Sequence, residues 1–261
     1  MTGHTFAICA YGDSPFLENC IRSLKAQTAE TDIILCTSTP SPYIEMLAEK
    51  YEIPVFVRDG KSDIQDDWNF AYEKADSRFV TIAHQDDMYA RDYAKTLLEM
   101  AEKYPDMTVF TSDYVTVKER TMKKHKGSVE WIKTVLRLPL RNPRWNGISW
   151  IKKAALIFGN PICCSACSYN KEQLKSPLFD SPFRYVLDWD TLWKLAGKKG
   201  RFICVERPLI YYRVHGGATT KKWIGDNRRM EEELAMFRKF WPEPAVQLLE
   251  HFYKKAYKAY D

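Results

Sequence analysis

Four consecutive polar residues in this chain have side chains that can bind a divalent cation. The cluster His84-Gln85-Asp86-Asp87 directly follows the apolar run at residues 79–83. Two adjacent carboxylates repel each other unless a cation or hydrogen-bond donors neutralise them. Because Mg²⁺ commonly pairs one or two carboxylates with substrate phosphate oxygens, the cluster predicts a metal and phosphate site. The alternative is structural, with Asp87 capping a following helix and Asp86 as a solvated turn residue.

Two later clusters contain groups that can exchange protons or bind a metal. Asp188-Trp189-Asp190 lies at the start of an apolar-periodic segment that predicts a helix. Acidic residues there can complement the helix dipole, or one carboxylate can act as a general base toward an acceptor hydroxyl. His215-Gly216-Gly217 follows an apolar run and predicts a tight turn that a ligand can reach. A single histidine at such a position can equally be structural.

The first half of the chain alternates between short apolar runs and helical patterns, which predicts βαβ units and a mainly parallel sheet. Ser14 is the predicted N-cap of the first helix, with Pro15 at its first position. Ligands of open α/β sheets bind outside the carboxyl ends of the strands, where His84–Asp87 would lie. Strands are predicted at residues 5–10, 32–36, 53–57, 79–83 and 107–111, and helices at 14–27, 40–51, 64–74 and 90–104.

The pattern becomes less regular after residue 114. Helices are predicted at residues 128–137, 148–158 and 188–197, strands at 166–169, 202–205 and 209–214, and two tail helices broken at 241–244. No linker or repeat interrupts the chain. We therefore predict one domain at residues 1–217, built from halves at 1–113 and 114–217, followed by a C-terminal helical extension at 218–261.

Composition is that of an ordinary globular protein, with 45% hydrophobic and 28% charged residues in 261. No apolar run approaches the roughly 20 residues that span a bilayer, and the first residues lack signal-peptide architecture, so we expect a cytoplasmic protein. Seven cysteines include the cluster Cys163, Cys164 and Cys167, which lacks a second pair or a nearby histidine. This spacing argues against a zinc site.

The formal net charge of +5 is concentrated in one segment. Residues 118–153 contain eleven Lys or Arg and two acids, together with Trp131, Trp145 and Trp150. Mixed basic and aromatic residues are typical of contact with an anionic membrane surface or a phosphate-bearing partner. The alternative is a solvated helix face opposite a buried one. Nucleic acid is not an expected partner, because no recognised binding motif accompanies the charge.

The order and spacing of the three clusters resemble those of a family 2 glycosyltransferase of the GT-A fold, over about residues 5–220. The family's opening strand, loop and helix are similar to FAICAYGDSPFLENCIRSLKAQT. Its aspartate-x-aspartate strand end, glutamate-aspartate helix start and late histidine segment are similar to FVTIAHQDDMY, VLDWDTLWKLA and YYRVHGGATT. The resemblance implies a Rossmann-like α/β fold with a nucleotide-sugar half at 1–113 and an acceptor half at 114–217.

The resemblance also implies roles for individual residues. Asp86 and His215 would hold Mn²⁺ or Mg²⁺ against the diphosphate of a nucleotide-sugar, and Asp188 would be the general base of an inverting transfer. A UDP-sugar is the expected donor. The acceptor would be a saccharide or lipid-diphosphate-linked hydroxyl in cell-surface polysaccharide synthesis, at the inner membrane face. The further candidate cofactor-binding residues are Ala10, Tyr11, Thr37, Ser38, Asp59, His84 and Asp87.

Some positions depart from the family pattern. His84 lies where the first aspartate of the motif is usual, and Leu187 replaces a glutamate before the base. Thr37-Ser38 replaces paired aspartates that hold base and ribose. Hydroxyls can still hydrogen-bond a nucleobase but are not charged acceptors, a function that Asp59 could supply in part.

Other classes of protein with a similar fold would show different sequence motifs. A sugar-nucleotide nucleotidyltransferase should show a glycine-rich, arginine-containing loop after the first strand, where this chain has AYGDSPF. A dinucleotide-dependent oxidoreductase needs G-x-G-x-x-G there, and this motif is absent. A non-catalytic nucleotide-sugar or carbohydrate-binding protein could retain the same fold.

Overall fold

A mixed β-sheet positions the polar clusters. The computed structural model describes residues 3–118, 121–123, 128–215 and 228–258, within which nine strands form one sheet. Across the sheet the order is β3-β2-β1-β4-β8-β6-β9-β5, with β7 paired to β6. The strands are β1 (His4–Ala10), β2 (Asp32–Thr37), β3 (Val55–Val57), β4 (Phe79–His84), β5 (Met88–Tyr89), β6 (Met107–Lys118), β7 (Thr121–Lys123), β8 (Ser168–Asn170) and β9 (Arg201–Val214).

The direction of the strands brings the predicted clusters to one edge. Strands β3, β2, β1 and β4 are mutually parallel, as predicted. β8 is antiparallel to both β4 and β6, so β6 and its parallel neighbour β9 run in the direction of β4. The carboxyl ends of β4 and β9 therefore point the same way. The α/β prediction of a mainly parallel sheet is confirmed, and the antiparallel strands β5, β7 and β8 make the sheet mixed.

Helices connect the strands at most of the predicted positions. The α3 helix has the predicted bounds, whereas α4 begins after residue 90 because Met88 and Tyr89 form β5 and pair with β9. The α5 helix continues past residue 137, and Arg141 in its last turn forms ion pairs with Asp113 and Glu206. The helices are α1 (Leu17–Lys25), α2 (Pro42–Lys50), α3 (Ile64–Lys74), α4 (Tyr93–Lys103), α5 (Ser128–Arg141), α6 (Ser149–Ala154), α7 (Leu187–Ala196), α8 (Arg228–Arg238) and α9 (Glu243–Lys258).

Each central strand contributes to two hydrophobic cores, because successive side chains point to opposite faces of a sheet. On one face Phe6 and Ile8 of β1 pack in a core with Leu24 of α1. On the other face Val80 of β4 lies in a core with Leu192 of α7. The helix that carries Asp188 is thus packed directly against the sheet that carries Asp86.

The two predicted tail helices are confirmed as α8 and α9. Leu234, Phe237 and Val246 from these helices are buried in the same core as α7. The proposed boundary near residue 217 lies beside residues outside the described ranges, and the division into 1–217 and 218–261 stays a prediction. None of the described helices is both long and apolar enough to span a bilayer.

Candidate active site

Asp86 and His215 face each other at the carboxyl edge of the sheet. Asp86 lies in the turn after β4, and His215 directly follows β9. The distance between His215 Nε2 and Asp86 Oδ2 is 3.2 Å, with the side chains 21% and 31% exposed. Nε2 has no hydrogen-bond partner among the described residues. Two atoms bound to one ion at about 2.1 Å and at right angles lie roughly 3 Å apart, so this pair fits a shared divalent cation.

The described residues hold no group of three or more His, Cys, Asp or Glu side chains arranged for a metal ion. A cation on Asp86 and His215 would therefore need additional oxygen ligands. Magnesium sites are commonly built in this way, from one or two protein ligands with substrate phosphates and water. The donor set present fits a cation that is bound together with a phosphorylated substrate.

The groups around the pair restrict its orientation. Ser14 Oγ donates to Asp86 Oδ1 at 2.9 Å, and Arg213 Nε donates to the Asp86 carbonyl at 3.0 Å. The Phe16 ring lies 4.6 Å from the His215 ring, between centroids. The prediction that Ser14 caps the first helix is wrong, because α1 begins at Leu17 and has no side-chain cap. The Ser14 hydroxyl instead supports Asp86.

Asp87 supports the same turn from inside the protein. Its side chain is 2% exposed, and Oδ1 accepts the backbone N–H of Arg213 at 2.8 Å. Burial raises the pKa of Asp87 to about 7, against the opposing effects of the Ser165 hydroxyl and the Arg213 amide. The helix-cap alternative is wrong, because α4 begins at Tyr93 and its N-cap is Asp92. Asp87 joins the β4 turn to β9; its predicted cofactor contact stays a prediction.

The loop after β1 is tied to the end of β4 by Gln85, a residue of the predicted polar cluster without an assigned role. The Tyr11 amide donates to Gln85 Oε1, and Gln85 Nε2 donates to the Tyr11 carbonyl, both at 3.0 Å. Ala10 is buried, whereas the Tyr11 side chain is 63% exposed. An exposed ring held on a fixed backbone can stack on a planar ligand. Gln85 lies within the predicted polar cluster, but its amide partner could not be identified from spacing.

The hydroxyls at the end of β2 contact the following backbone and a carboxylate from a helix. Thr37 is 3% exposed, and its Oγ1 accepts the Thr39 amide at 3.0 Å. Ser38 Oγ donates to Asp67 Oδ2 at 3.0 Å. Asp67, on α3, also accepts from Arg58 Nε at 2.8 Å. The α3 helix thus places a carboxylate beside the end of β2, while Asp59 is exposed and accepts from Arg58 Nη1 through its backbone carbonyl.

His84 ends β4 beside an aromatic side chain. Its ring stacks on that of Trp68, with 5.1 Å between centroids and 28° between planes. Burial lowers the pKa of His84 to about 4, against the opposing charge of Asp86. The imidazole is therefore neutral at pH 7. Its Nε2 is buried and has no hydrogen-bond partner among the described residues.

Asp188 is held in the first turn of α7. Its Oδ2 accepts from Asn160 Nδ2 at 2.9 Å. Burial raises the pKa of Asp188, while the Trp189 backbone amide and the charge of Arg229 act in the opposite direction. A raised pKa makes the carboxylate a stronger proton acceptor. Asp190 is fully buried and accepts from Lys239 Nζ at 2.5 Å, which is a structural contact.

A short turn connects the surroundings of Asp188 and Asp87. Cys164 lies in the 3₁₀ turn Cys164–Ala166, directly before β8. Burial raises the pKa of the Cys164 thiol, and the charges of Asp188 and Asp87 raise it further. Asn160, which donates to Asp188, and Ser165, whose hydroxyl faces Asp87, belong to the same segment of the chain. This segment therefore connects the surroundings of Asp188 with the turn after β4.

The sequence match agrees with this geometry. The family model described as Glycosyl transferase family 2 matches residues 5–172. This protein belongs to glycosyltransferase family 2. The match includes the clusters at the ends of β1, β2 and β4, but not Asp188 or His215. No curated protein sequence matches this family 2 glycosyltransferase significantly.

Solved structures show the fold of this family 2 glycosyltransferase. S. aureus TarS 1–349 with UDP-GlcNAc has a TM-score of 0.62 at 13% identity, covering 95% of this chain and 70% of that chain. The mannosyltransferase PcManGT from Pyrobaculum calidifontis, with GDP-Man and Mn²⁺, has a TM-score of 0.62 at 15% identity, covering 95% and 68%. Mycobacterium tuberculosis glucosyl-3-phosphoglycerate synthase, with Mn²⁺, UDP and glucosyl-3-phosphoglycerate, has a TM-score of 0.59 at 12% identity, covering 89% and 79%. The predicted GT-A fold is confirmed.

Proposed function

We propose that this protein transfers a sugar from a nucleoside-diphosphate sugar to an acceptor hydroxyl, with inversion at the anomeric carbon. The observation that carries the proposal is the approach of Asp86 and His215 from two strand ends, with Asp188 held by Asn160 from the segment that leads into the Cys164–Ala166 turn. Family membership supports the reaction class. The retained cation-binding pair and a base candidate with a raised pKa favour an enzyme over a non-catalytic binding protein.

The donor side of the site would be built around Asp86 and His215. These residues would hold Mn²⁺ or Mg²⁺, which when bound supplies Lewis-acid stabilisation of negative charge on the departing nucleoside diphosphate. Ser14 and Arg213 orient Asp86 through the hydrogen bonds described above. Tyr11 would stack on the nucleobase, and Ser38 and Asp67 would provide polar contacts at the neighbouring strand end. Ala10, Thr37, Asp59, His84 and Asp87 are proposed to line or support this part of the site.

The acceptor side would be built around Asp188. Its carboxylate takes the proton of the acceptor hydroxyl while that oxygen forms a bond to the anomeric carbon. The bond between this carbon and the diphosphate oxygen breaks at the same time, and the electron pair leaves with the diphosphate. Asn160 holds one carboxylate oxygen and thereby orients the base. One displacement without a covalent intermediate inverts the anomeric centre.

A UDP-sugar is the proposed donor. Two of the similar structures contain UDP-GlcNAc or UDP, whereas PcManGT contains GDP-Man. We propose that the polar groups at the ends of β2 and β3 distinguish the bases. A saccharide or a lipid-diphosphate-linked oligosaccharide is the proposed acceptor, in cell-surface polysaccharide synthesis.

A thermal-shift screen of nucleotide-sugars with and without Mn²⁺ tests the donor assignment. Binding to the native state at 100 times Kd stabilises it by about 2.7 kcal/mol, so Tm should rise by several degrees. We expect the largest shift with a UDP-sugar plus Mn²⁺, followed by release of UDP when an acceptor is added. Binding without any transfer would favour the non-catalytic alternative. Pyrophosphate release from UTP and a sugar phosphate would instead identify a nucleotidyltransferase.

An exposed apolar face is the proposed contact with the membrane that carries a lipid-linked acceptor. Trp131 and Leu138 on α5 are 68% and 50% exposed, and Trp150 on α6 is 71% exposed. Part of the predicted positive charge is used internally: Arg137 and Arg141 pair with Asp113, and Lys152 is fully buried. The proposed peripheral contact at the cytoplasmic membrane face therefore depends mainly on the apolar side chains of this face.

Replacing Trp131 and Trp150 together by Asp should weaken binding to anionic liposomes at low salt by at least about tenfold, because large apolar side chains dominate such contacts. Liposome co-sedimentation measures the change. Transfer to a soluble acceptor should be unaffected. Leu248→Asp is the matched control, because Leu248 is 59% exposed on α9 and does not belong to residues 118–153. Failure of the unaltered protein to bind these liposomes would contradict membrane contact through residues 118–153.

A further inference from the structure

A carboxylate from the C-terminal helices contacts the loop in front of α7. Glu232 on α8 accepts three successive backbone amides: Arg184 at 3.0 Å and 3.1 Å, Tyr185 at 2.6 Å and Val186 at 3.2 Å. The amide groups at a helix start have no partner within the helix. Val186 is the N-cap position of α7, and its side chain makes no capping hydrogen bond. Glu232 therefore accepts the amide of the N-cap residue, as the acidic residue of a capping box does, and also the amides of the two residues before it.

The α8 helix also contacts α7 on the other side of Asp188. The rings of Phe237 and Trp189 pack edge to face, with 5.2 Å between their centroids. Lys239, just beyond the end of α8, donates to the buried Asp190 at 2.5 Å. The residues before and after Asp188 are thus both fixed by this part of the chain.

We propose that Glu232 is a positioning residue for Asp188. By fixing the backbone at 184–186, its carboxylate sets the direction of the first turn of α7 and hence of the Asp188 side chain. Because charge-assisted hydrogen bonds are stronger than neutral ones, an acidic residue suits three amides better than a neutral side chain does. The inference rests on the proposed function for the role of Asp188. It makes the C-terminal helices a part of the catalytic unit.

Hydrogen exchange tests the backbone contact without any assay of activity. In Glu232→Ala the amides of Arg184, Tyr185 and Val186 should exchange roughly tenfold to a hundredfold faster, because they lose a charged acceptor. Glu232→Gln keeps one carbonyl oxygen and should give a smaller increase. Glu231→Ala is the matched control, since Glu231 is exposed on the same helix. Unchanged exchange at these three amides in Glu232→Ala would overturn the proposal.

Steady-state kinetics then distinguish positioning from general stability. We expect kcat per folded molecule to fall roughly tenfold to a hundredfold in Glu232→Ala, with the donor KM within about twofold of the original, and Glu232→Gln to be partly active. A purely structural role would lower Tm and the folded fraction but leave kcat per folded molecule as in Glu231→Ala, which would overturn the proposal. If the unaltered protein transfers no sugar, the proposed function fails, while the exchange result still decides whether Glu232 fixes the loop.

Discussion

Asp188→Asn is expected to retain donor binding and to lose sugar transfer by roughly 10²–10⁴-fold, the usual contribution of a general base. Asparagine preserves the size of the side chain and can still contact Asn160, but it cannot accept the proton of the attacking hydroxyl. Initial rates of UDP release, with titration calorimetry of the donor, measure the two effects separately. Asp180→Asn is the matched control, because Asp180 is exposed in the loop that leads to α7. Full turnover by Asp188→Asn would remove this residue from the role of base.

The pH dependence of kcat provides a second readout of the same variant. Burial raises the pKa of Asp188, so protonation of this carboxyl begins at a higher pH than for an exposed aspartate. A base acts only when deprotonated, and kcat should therefore fall as the pH decreases through this raised pKa. Measured at saturating Mn²⁺ and donor, this acidic limb should be absent from the residual activity of Asp188→Asn. An unchanged limb would assign it to another group.

The second large effect is expected at the cation-binding pair. In Asp86→Ala and His215→Ala, the increase in UDP affinity that Mn²⁺ produces should fall by at least about 100-fold, because supporting residues alone commonly contribute 10–100-fold. Calorimetry of UDP with and without Mn²⁺ measures this increase. Asp76→Asn controls for the loss of one negative charge, because Asp76 is exposed before the start of β4, whereas Asp86 follows the opposite end of that strand. Variants that keep the full Mn²⁺ dependence would contradict a metal site on this pair.

Ser14→Ala gives a graded comparison within that experiment. The Ser14 hydroxyl orients Asp86 but is not itself proposed as a ligand. Its loss should reduce the Mn²⁺-dependent increase less than the loss of Asp86 does. Ranking the variants by the Mn²⁺-dependent increase in UDP affinity therefore distinguishes a residue that binds the metal from one that orients a ligand.

The sequence was sufficient to place the main polar clusters relative to the sheet. The apolar run before His84 predicts a buried strand, and strand direction then decides at which edge Asp86 lies. For His215 the sequence indicated only a strand end. Its approach to Asp86 depends on β9 running parallel to β6, a pairing between distant segments that no local pattern contains.

Contacts between side chains of different elements could not be predicted from spacing. Asp67 belongs to an ordinary helical pattern, and its contacts with Ser38 and Arg58 arise only when α3 packs beside the strand ends. Glu232 likewise lies in an acidic stretch typical of a solvated helix. Ser14 was assigned to the nearest helix because capping is local, whereas its hydroxyl contacts a residue on another strand end.

The predicted break between strands at 202–205 and 209–214 shows a different limit of prediction from sequence. β9 is continuous over Arg201–Val214, but its register with β6 shifts between Ser112 and Asp113, opposite Val205 and Pro208. An irregularity of this kind tolerates a proline that cannot donate to its neighbour. The proline therefore indicated a local bulge rather than the end of a strand.

The reversed direction of β8 has a consequence for how the protein can diversify. Because β8 is antiparallel to β4 and β6, the segment before β8 lies at the same edge of the sheet as the segments that follow β4 and β6. Residues 84–87 and residues 160–166 consequently meet although different parts of the chain encode them. Substitutions in residues 160–166 can therefore change the surroundings of Asp188 while residues 84–87 and the pairing of β4 stay intact. The proposed preference for an acceptor can then evolve independently of the proposed preference for a donor.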